Sequence, residues 1–204
     1  MEVKDKILET ALGLFYKFGI KAITMDDIAK EMGISKKTIY RFFKEKDDIV
    51  SVLCEMQMAN HQKDLIEIKK QSKDPVHEMI LTSHHLEKVF SAINPVFFHD
   101  LHKQYHQALQ LFTKFKKEQV LCNIEQNIKE GMEQGLYRAD LDLTFISQYR
   151  LTQMDIIMTG NGFNFENMSL TKAHQMVLDI FMHGISTVKG HKLINKYKNK
   201  QEEE

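Results

Sequence analysis

At 204 residues, with 28 basic against 28 acidic side chains, the chain has room for a small head and a helical body, and its net charge of zero does not by itself point to a nucleic-acid partner. No apolar run approaches the ~18 residues that span a bilayer. Cys54 and Cys122 stand far apart, with no CxxC pair and no secretory leader ahead of them, so a reduced, cytoplasmic protein without membrane contact is expected.

Two prolines and nine glycines in a sequence otherwise rich in Leu, Ile, Met, Lys, Glu and Gln predict an all-α chain. Val3 to Phe18 sets Ile7, Leu8, Ala11, Leu12 and Phe15 at three-and-four spacing and stops at Gly19, which accepts a left-handed cap. Thr24 then offers a hydroxyl cap with the Asp27 carboxylate three residues on, and Ile28, Ala29 and Met32 form the buried stripe of a second helix ending at Gly33. Ser35 can cap a third helix whose inward residues are Ile39 and Phe42 or Phe43.

Ala29 keeps the crossing of these two short helices tight, Gly33 permits positive φ in the turn, and Ile34 and Ile39 fill the wedge. This is the pattern of a helix-turn-helix, against which stands an ordinary helical hairpin with no DNA role. Between Ser35 and Lys46, five cations (Lys36, Lys37, Arg41, Lys44 and Lys46) face Glu45 alone. In a helix-turn-helix the second helix enters the major groove, which points Lys36, Lys37, Tyr40 and Arg41 toward base edges. The hydroxyls of Thr38 and Tyr40 suit phosphate oxygens, and Lys46 falls at the start of a fourth helix, where a phosphate can be bound. Thr24 and Ser35 serve as caps or as further phosphate contacts.

The fourth helix runs through Ile49, Val52, Leu53, Met56 and Ile66. Asp74-Pro75 and Asn94-Pro95 each place a capping side chain before a proline at the first helical position. A helix with Val120, Ile124 and Ile128 ends around Gly131 to Gly135. Asp140 or Asp142 caps the next, which carries Phe145, Ile146, Tyr149, Ile156 and Ile157 before the loop at Gly160-Asn161-Gly162 with its two phenylalanines. The last helix has one apolar face of Ala173, Met176, Val177, Ile180, Phe181, Gly184, Ile185 and Val188, suited either to the chain's own core or to a symmetric bundle with a partner. The lysine-rich end after Lys189 reads as a frayed, solvated tail. Among the body's aromatics and methionines, Phe90, Phe97, Tyr105, Phe112 and Tyr149, with Gln153, are candidates to line a pocket for a mainly apolar ligand.

No cofactor, metal or catalytic site is expected. His99, His102 and His106 share a helical face but read as ordinary surface or partly buried histidines. His77-Glu78 opens like a zinc-protease motif, yet Leu81 stands where the second histidine belongs. Nucleophile elbow, phosphate-binding GxxxxGK loop and dinucleotide GxGxxG are all missing from the sequence.

The run from Thr24 through Asp26, Asp27, Ile28, Ala29, Gly33, Ile34, Ser35, Lys36, Lys37, Thr38 and Ile39 to Tyr40, followed by Phe43 and Lys46, resembles the signature of the TetR family of repressors. The resemblance is close over residues 5–53 and elsewhere rests on helix count, length and the Gly131 to Asp142 stretch. It implies a three-helix helix-turn-helix DNA-binding domain at 1–46, a helical effector-binding and dimerisation domain at 47–190 and a polar tail at 191–204, with about nine helices in all. It further implies a homodimer on double-stranded DNA at a palindromic operator, released by a small-molecule effector. Tyr40 and Lys46 match the family's backbone contacts, and the helices at roughly 143–160 and 170–188 match those that make its dimer, which assigns Met176, Val177, Ile180, Phe181, Gly184 and Ile185 to that interface. The alternative is a DNA-binding regulator without a small-molecule effector, constitutive or controlled by a protein; an enzyme is not expected.

Overall fold

The computed structural model describes residues 2–159 and 168–199, so the expected loop at Gly160-Asn161-Gly162 lies outside the described residues. Within them the chain is all-helical: α1 (Val3–Phe18), α2 (Met25–Glu31), α3 (Lys36–Tyr40), α4 (Lys46–Gln71), α5 (Pro75–Ala92), α6 (Val96–Gln104), α7 (His106–Phe115), α8 (Leu121–Glu133), α9 (Leu143–Thr159), α10 (Leu170–Ile185) and α11 (Val188–Asn199). A π-helical turn, Lys116–Val120, joins α7 to α8. No helix of the described residues is long and apolar enough to cross a membrane. The helices divide into two units, residues 1–61 with 91–115, and residues 62–90 with 116–204.

In the first unit the inward residues of α1 (Ile7, Leu8, Ala11, Phe15) pack with Ile28 and Ala29 of α2, Ile39 of α3, Ile49, Val50 and Leu53 of α4 and Leu101 of α6 in one core. The three-and-four spacing that predicts α1 is the spacing that is buried. Phe43 is the inward member of the Phe42-Phe43 pair at 3% exposure, while Phe42 faces solvent. The helix capping is local. Thr24 accepts from the Asp27 N–H and the Asp27 carboxylate accepts from Thr24, a complete capping box, and Ser35 Oγ accepts from Thr38 N–H at 3.2 Å. A capping hydroxyl such as that of Ser35 is worth about 1 kcal/mol.

The 91–115 segment, which a linear reading assigns to the body, packs with this unit. Asn94 N–H donates to Tyr16 O at 2.8 Å, the Phe97 ring stands edge-on to Tyr16, and the buried Asp100 carboxylate accepts the Lys21 N–H at 2.8 Å. Gly19 ends α1 at φ 85°, where a Cβ would meet Val96 at 2.9 Å, so both its backbone angle and this neighbour require glycine.

The second unit is held by side chains of α5, α8, α9, α10 and α11. Pro75 begins α5 with the Asp74 carboxylate accepting from His77 N–H at 2.9 Å, and Asp142 caps α9 through Phe145 N–H at 2.7 Å. Pro95 sits one place earlier than expected, at the cap of α6, with Asn94 Oδ1 accepting from Val96 N–H. Tyr137, 1% exposed, donates to Pro75 O at 3.1 Å and lies against Gly131, where a Cβ would come within 2.0 Å of the ring. Residues 136–138 are stapled to the α10–α11 joint: Arg138 N–H donates to Ile185 O and Thr187 N–H to Leu136 O.

The end of the chain corrects the sequence reading. Of the tail expected at 191–204, residues 191–199 belong to helix α11, because Ile194 (1% exposed) and Tyr197 recur at helical spacing and bury against the unit, while 200–204 lie outside the described residues. Tyr197 donates to Asp74, and its ring stacks on His77. A lysine-rich composition hides the two residues that anchor it.

Candidate nucleic-acid interface

Helix α3 is one and a half turns long and is fixed at both ends. Ser35 caps its start, Ile39 is fully buried beneath it, and Gly33 at φ 65° reverses the chain from α2, with Ile34 N–H donating to Ala29 O at 3.0 Å. Burying Ile39 on one side turns Lys36, Lys37, Tyr40 and Arg41 outward, and all four are exposed. Thr38 is half-buried and its hydroxyl lies 2.9 Å from that of Ser35.

Two of the expected cationic contacts already have partners. Lys36 Nζ donates to Asp26 Oδ2 at 2.8 Å, which raises its pKa, and lies 5.9 Å from the Tyr40 ring centroid. Lys46 is half-buried, and its ammonium donates to Ile20 O at 2.9 Å and Ile23 O at 2.7 Å, clamping both ends of the turn between α1 and α2. Burial pulls its pKa down, while Asp47 and Asp100 pull it up. The ammonium therefore has a structural duty besides any phosphate it meets. Lys37 and Arg41 form no ion pair among the described residues and present a freely directed positive charge. This surface can accept phosphate oxygens and reach guanine edges.

The residues singled out for a ligand fall in both units: Phe97, Tyr105 and Phe112 in the first, Phe90, Tyr149 and Gln153 in the second. Tyr105 is a core residue of the first unit, 5.8 Å from the Lys46 ammonium to its ring centre. Those assigned to a dimer divide by register on α10. Met176, Ile180 and Gly184 are exposed, Val177 is half-buried, and Phe181 and Ile185 belong to the unit's own core. The apolar stripe of α10 is thus two stripes, one facing inward and one facing solvent. Phe145 on α9, which packs on α10, is also exposed, at 68%, and its ring stacks with Tyr149.

Sequence reasoning singled out Gln153 but passed over two other buried polar residues of the second unit, Arg150 and His174. Arg150 is 2% exposed and stands 5.4 Å from the Phe181 ring centroid; Nη1 has no hydrogen-bond partner among the described residues. Burial pulls its pKa to about 10, so it remains a cation at neutral pH. His174, fully buried, lies 3.1 Å from Ser83 Oγ through Nε2, and burial with the nearby Arg150 charge drives its pKa to about 4. Arg150 occupies the inward stripe of α9 with Ile146, Gln153 and Ile157, spaced by four, three and four, and that register was the available signal. A groove of about 510 Å³ lined by Ser83, Glu87, Lys172, Gln175 and Asp179 runs beside α5, α10 and α11. Among the described residues, no group of three His, Cys, Asp or Glu is placed to hold a metal ion.

Residues 7–53 match the family described as bacterial regulatory proteins, tetR family. The chain is 28% identical to the HTH-type transcriptional regulator YhgD of Bacillus subtilis over 72% of its own length and 79% of that protein. It is 34% identical to the HTH-type regulator AcrR of Shigella flexneri over 36% of its length, a match that spans only 34% of AcrR. The solved structure of the transcriptional regulator FadR from Bacillus subtilis, in complex with stearoyl-CoA, superposes with a TM-score of 0.68 at 20% identity, covering 89% of this chain and 99% of that one. At that identity the likeness establishes the shared fold, an N-terminal helix-turn-helix followed by a helical domain.

Proposed function

Because this chain belongs, through residues 7–53, to the tetR family of bacterial regulatory proteins, we propose that it is a transcriptional repressor that holds a palindromic operator as a homodimer and leaves it when a small, mainly apolar effector binds. The observation that carries the DNA-binding part is the geometry of α3: a capped, buried-side-anchored helix that turns Lys36, Lys37, Tyr40 and Arg41 to solvent together. Lys36 and Lys37 read base edges once Lys36 exchanges Asp26 for the DNA. Thr24, Ser35, Thr38, Tyr40 and Lys46 position the phosphate backbone.

The exposed apolar side chains of α9 and α10 support the homodimer, since Phe145 and Ile180 are each more than two-thirds exposed and large apolar groups on a packed helix pair are costly to leave in water. The stearoyl-CoA complex of FadR supports a small-molecule response. We place the effector in the second unit, with Phe90, Tyr149 and Gln153 among its contacts. Membership of a regulator family, with no catalytic motif in the sequence, argues for a regulator and against an enzyme.

Selection of bound sequences from random duplexes by the purified protein tests this reading. The expected product is an inverted repeat with half-sites about one helical turn apart, or a multiple of it. Enrichment of sequences without dyad symmetry, or of none at low ionic strength, overturns it.

A further inference from the structure

Inside the second unit, Arg150, the nearby His174 and Gln153, which shares the inward register of α9 with Arg150, are all buried and have unfilled hydrogen-bonding capacity of both kinds. Among the described residues, Arg150 Nη1 is a charged donor without a partner, and Gln153 Oε1 and His174 Nδ1 are likewise unpaired. The tautomer of His174 follows from its neighbours. The Ser83 hydroxyl donates to Glu87 at 3.1 Å, as does the Gln175 amide, so Ser83 Oγ is left to accept from His174 Nε2–H. Nδ1 is therefore a lone pair, and burial beside Arg150 keeps the ring neutral. A guanidinium out of water with an aromatic face in place of a carboxylate is an expensive arrangement, and a ligand carboxylate would relieve it.

We propose that Arg150, Gln153 and His174 form a recognition site for a carboxylate on an otherwise apolar molecule, with a hydroxyl or amide N–H beside that carboxylate. Arg150 donates to the carboxylate, and the neighbouring donor fills Nδ1 of His174 or Oε1 of Gln153. A single guanidinium matches a monoanion, whereas the two lone-pair acceptors would repel the second charge of a phosphate monoester. Phe181 and Phe90, whose rings contact Arg150 and His174, supply the apolar walls. Ser83, which holds His174, also lines the groove along α5, so the cluster lies one side chain from solvent. The inference deepens the proposed effector response and names the effector's chemical class.

Calorimetry on the full-length protein without DNA, using octanoate, 2-hydroxyoctanoate, octyl phosphate, methyl octanoate and 1-octanol, tests it. The expected order is 2-hydroxyoctanoate first and octanoate next, each tighter than methyl octanoate, octanol and octyl phosphate by about 10-fold or more. Arg150→Met should abolish the preference while melting at or above the wild-type temperature, because it removes a buried unpaired charge. Should that variant fail to fold, Arg150→Gln and the wild-type series decide the matter. Equal affinity for octanoate and octanol, no saturable binding of either carboxylate, or a carboxylate preference that survives loss of Arg150 overturns the proposal. Carboxylate binding without release of a selected operator leaves this site standing and removes the effector reading.

Discussion

Lys36 of α3 and Asp26 of α2 form a 2.8 Å ion pair across the turn of the helix-turn-helix, so the side chain proposed to meet DNA is already engaged in its absence. Both partners are exposed, and the pair is easily exchanged for a phosphate or a guanine edge. Asp26→Asn should free Lys36 and remove a negative charge from the docking face. The expected result, read by fluorescence anisotropy of a labelled operator at low salt, is an affinity gain of about two- to five-fold that fades as salt rises. An affinity loss would mean that Asp26 orients Lys36 productively.

Lys46 serves the fold besides its proposed place at the interface. Lys46→Met keeps the stem and removes the ammonium, leaving Ile20 O and Ile23 O short of a donor. Denaturant unfolding should report a loss of about 1–3 kcal/mol. Binding should weaken alike on every duplex, with the salt slope reduced by about one. A change in base preference would assign Lys46 a reading role.

Ile180, 69% exposed on α10, is the place to test assembly. Ile180→Glu should leave the helical circular dichroism intact while light scattering at micromolar concentration reports the monomer, and operator affinity should fall by at least about 100-fold as the second half-site contact is lost. A dimer that persists would move the interface elsewhere.

His174 predicts an acid-sensitive core. Its folded pKa of about 4 lies below the ordinary histidine value of 6.5, so as pH falls below 6.5 the unfolded chain takes up a proton that the folded chain refuses. Stability present above pH 6.5 is lost progressively down to about pH 4, by about 3 kcal/mol in total. The groups facing the ring are Arg150, which opposes its charge, and Ser83, itself bonded to Glu87. His174→Gln should flatten the stability profile between pH 6.5 and 4 relative to wild type; parallel profiles would show that the histidine is not held neutral.

The reading head was legible because its signals are local. Thr24 with Asp27, Ser35 with Thr38, and Gly33 in the turn are each decided within a few residues, and all three take the geometry their spacing requires. What the sequence hides is long-range. The packing of 91–115 with α1 rests on the Asp100–Lys21 and Asn94–Tyr16 bonds, which link residues some eighty positions apart. On α10 the apolar run includes both Phe181 and Ile180, and only packing decides that the first is buried and the second is not. Arg150 was overlooked for a different reason: a cation in an inward register contradicts the expectation that charge faces water, and such conflicts mark sites rather than cores.

The helix that closes the second unit sets a practical limit on how the protein can be trimmed. Ile194 and Tyr197 hold α11 down, Thr187 hydroxyl donates to the carbonyl of Gly135, and Lys189 donates to that of Gln134. Deleting α11 as though it were a charged appendage would uncap the Gly131–Tyr137 corner and leave the Asp74 carboxylate without its phenol. A fluorophore or affinity handle therefore must leave Val188–Asn199 intact.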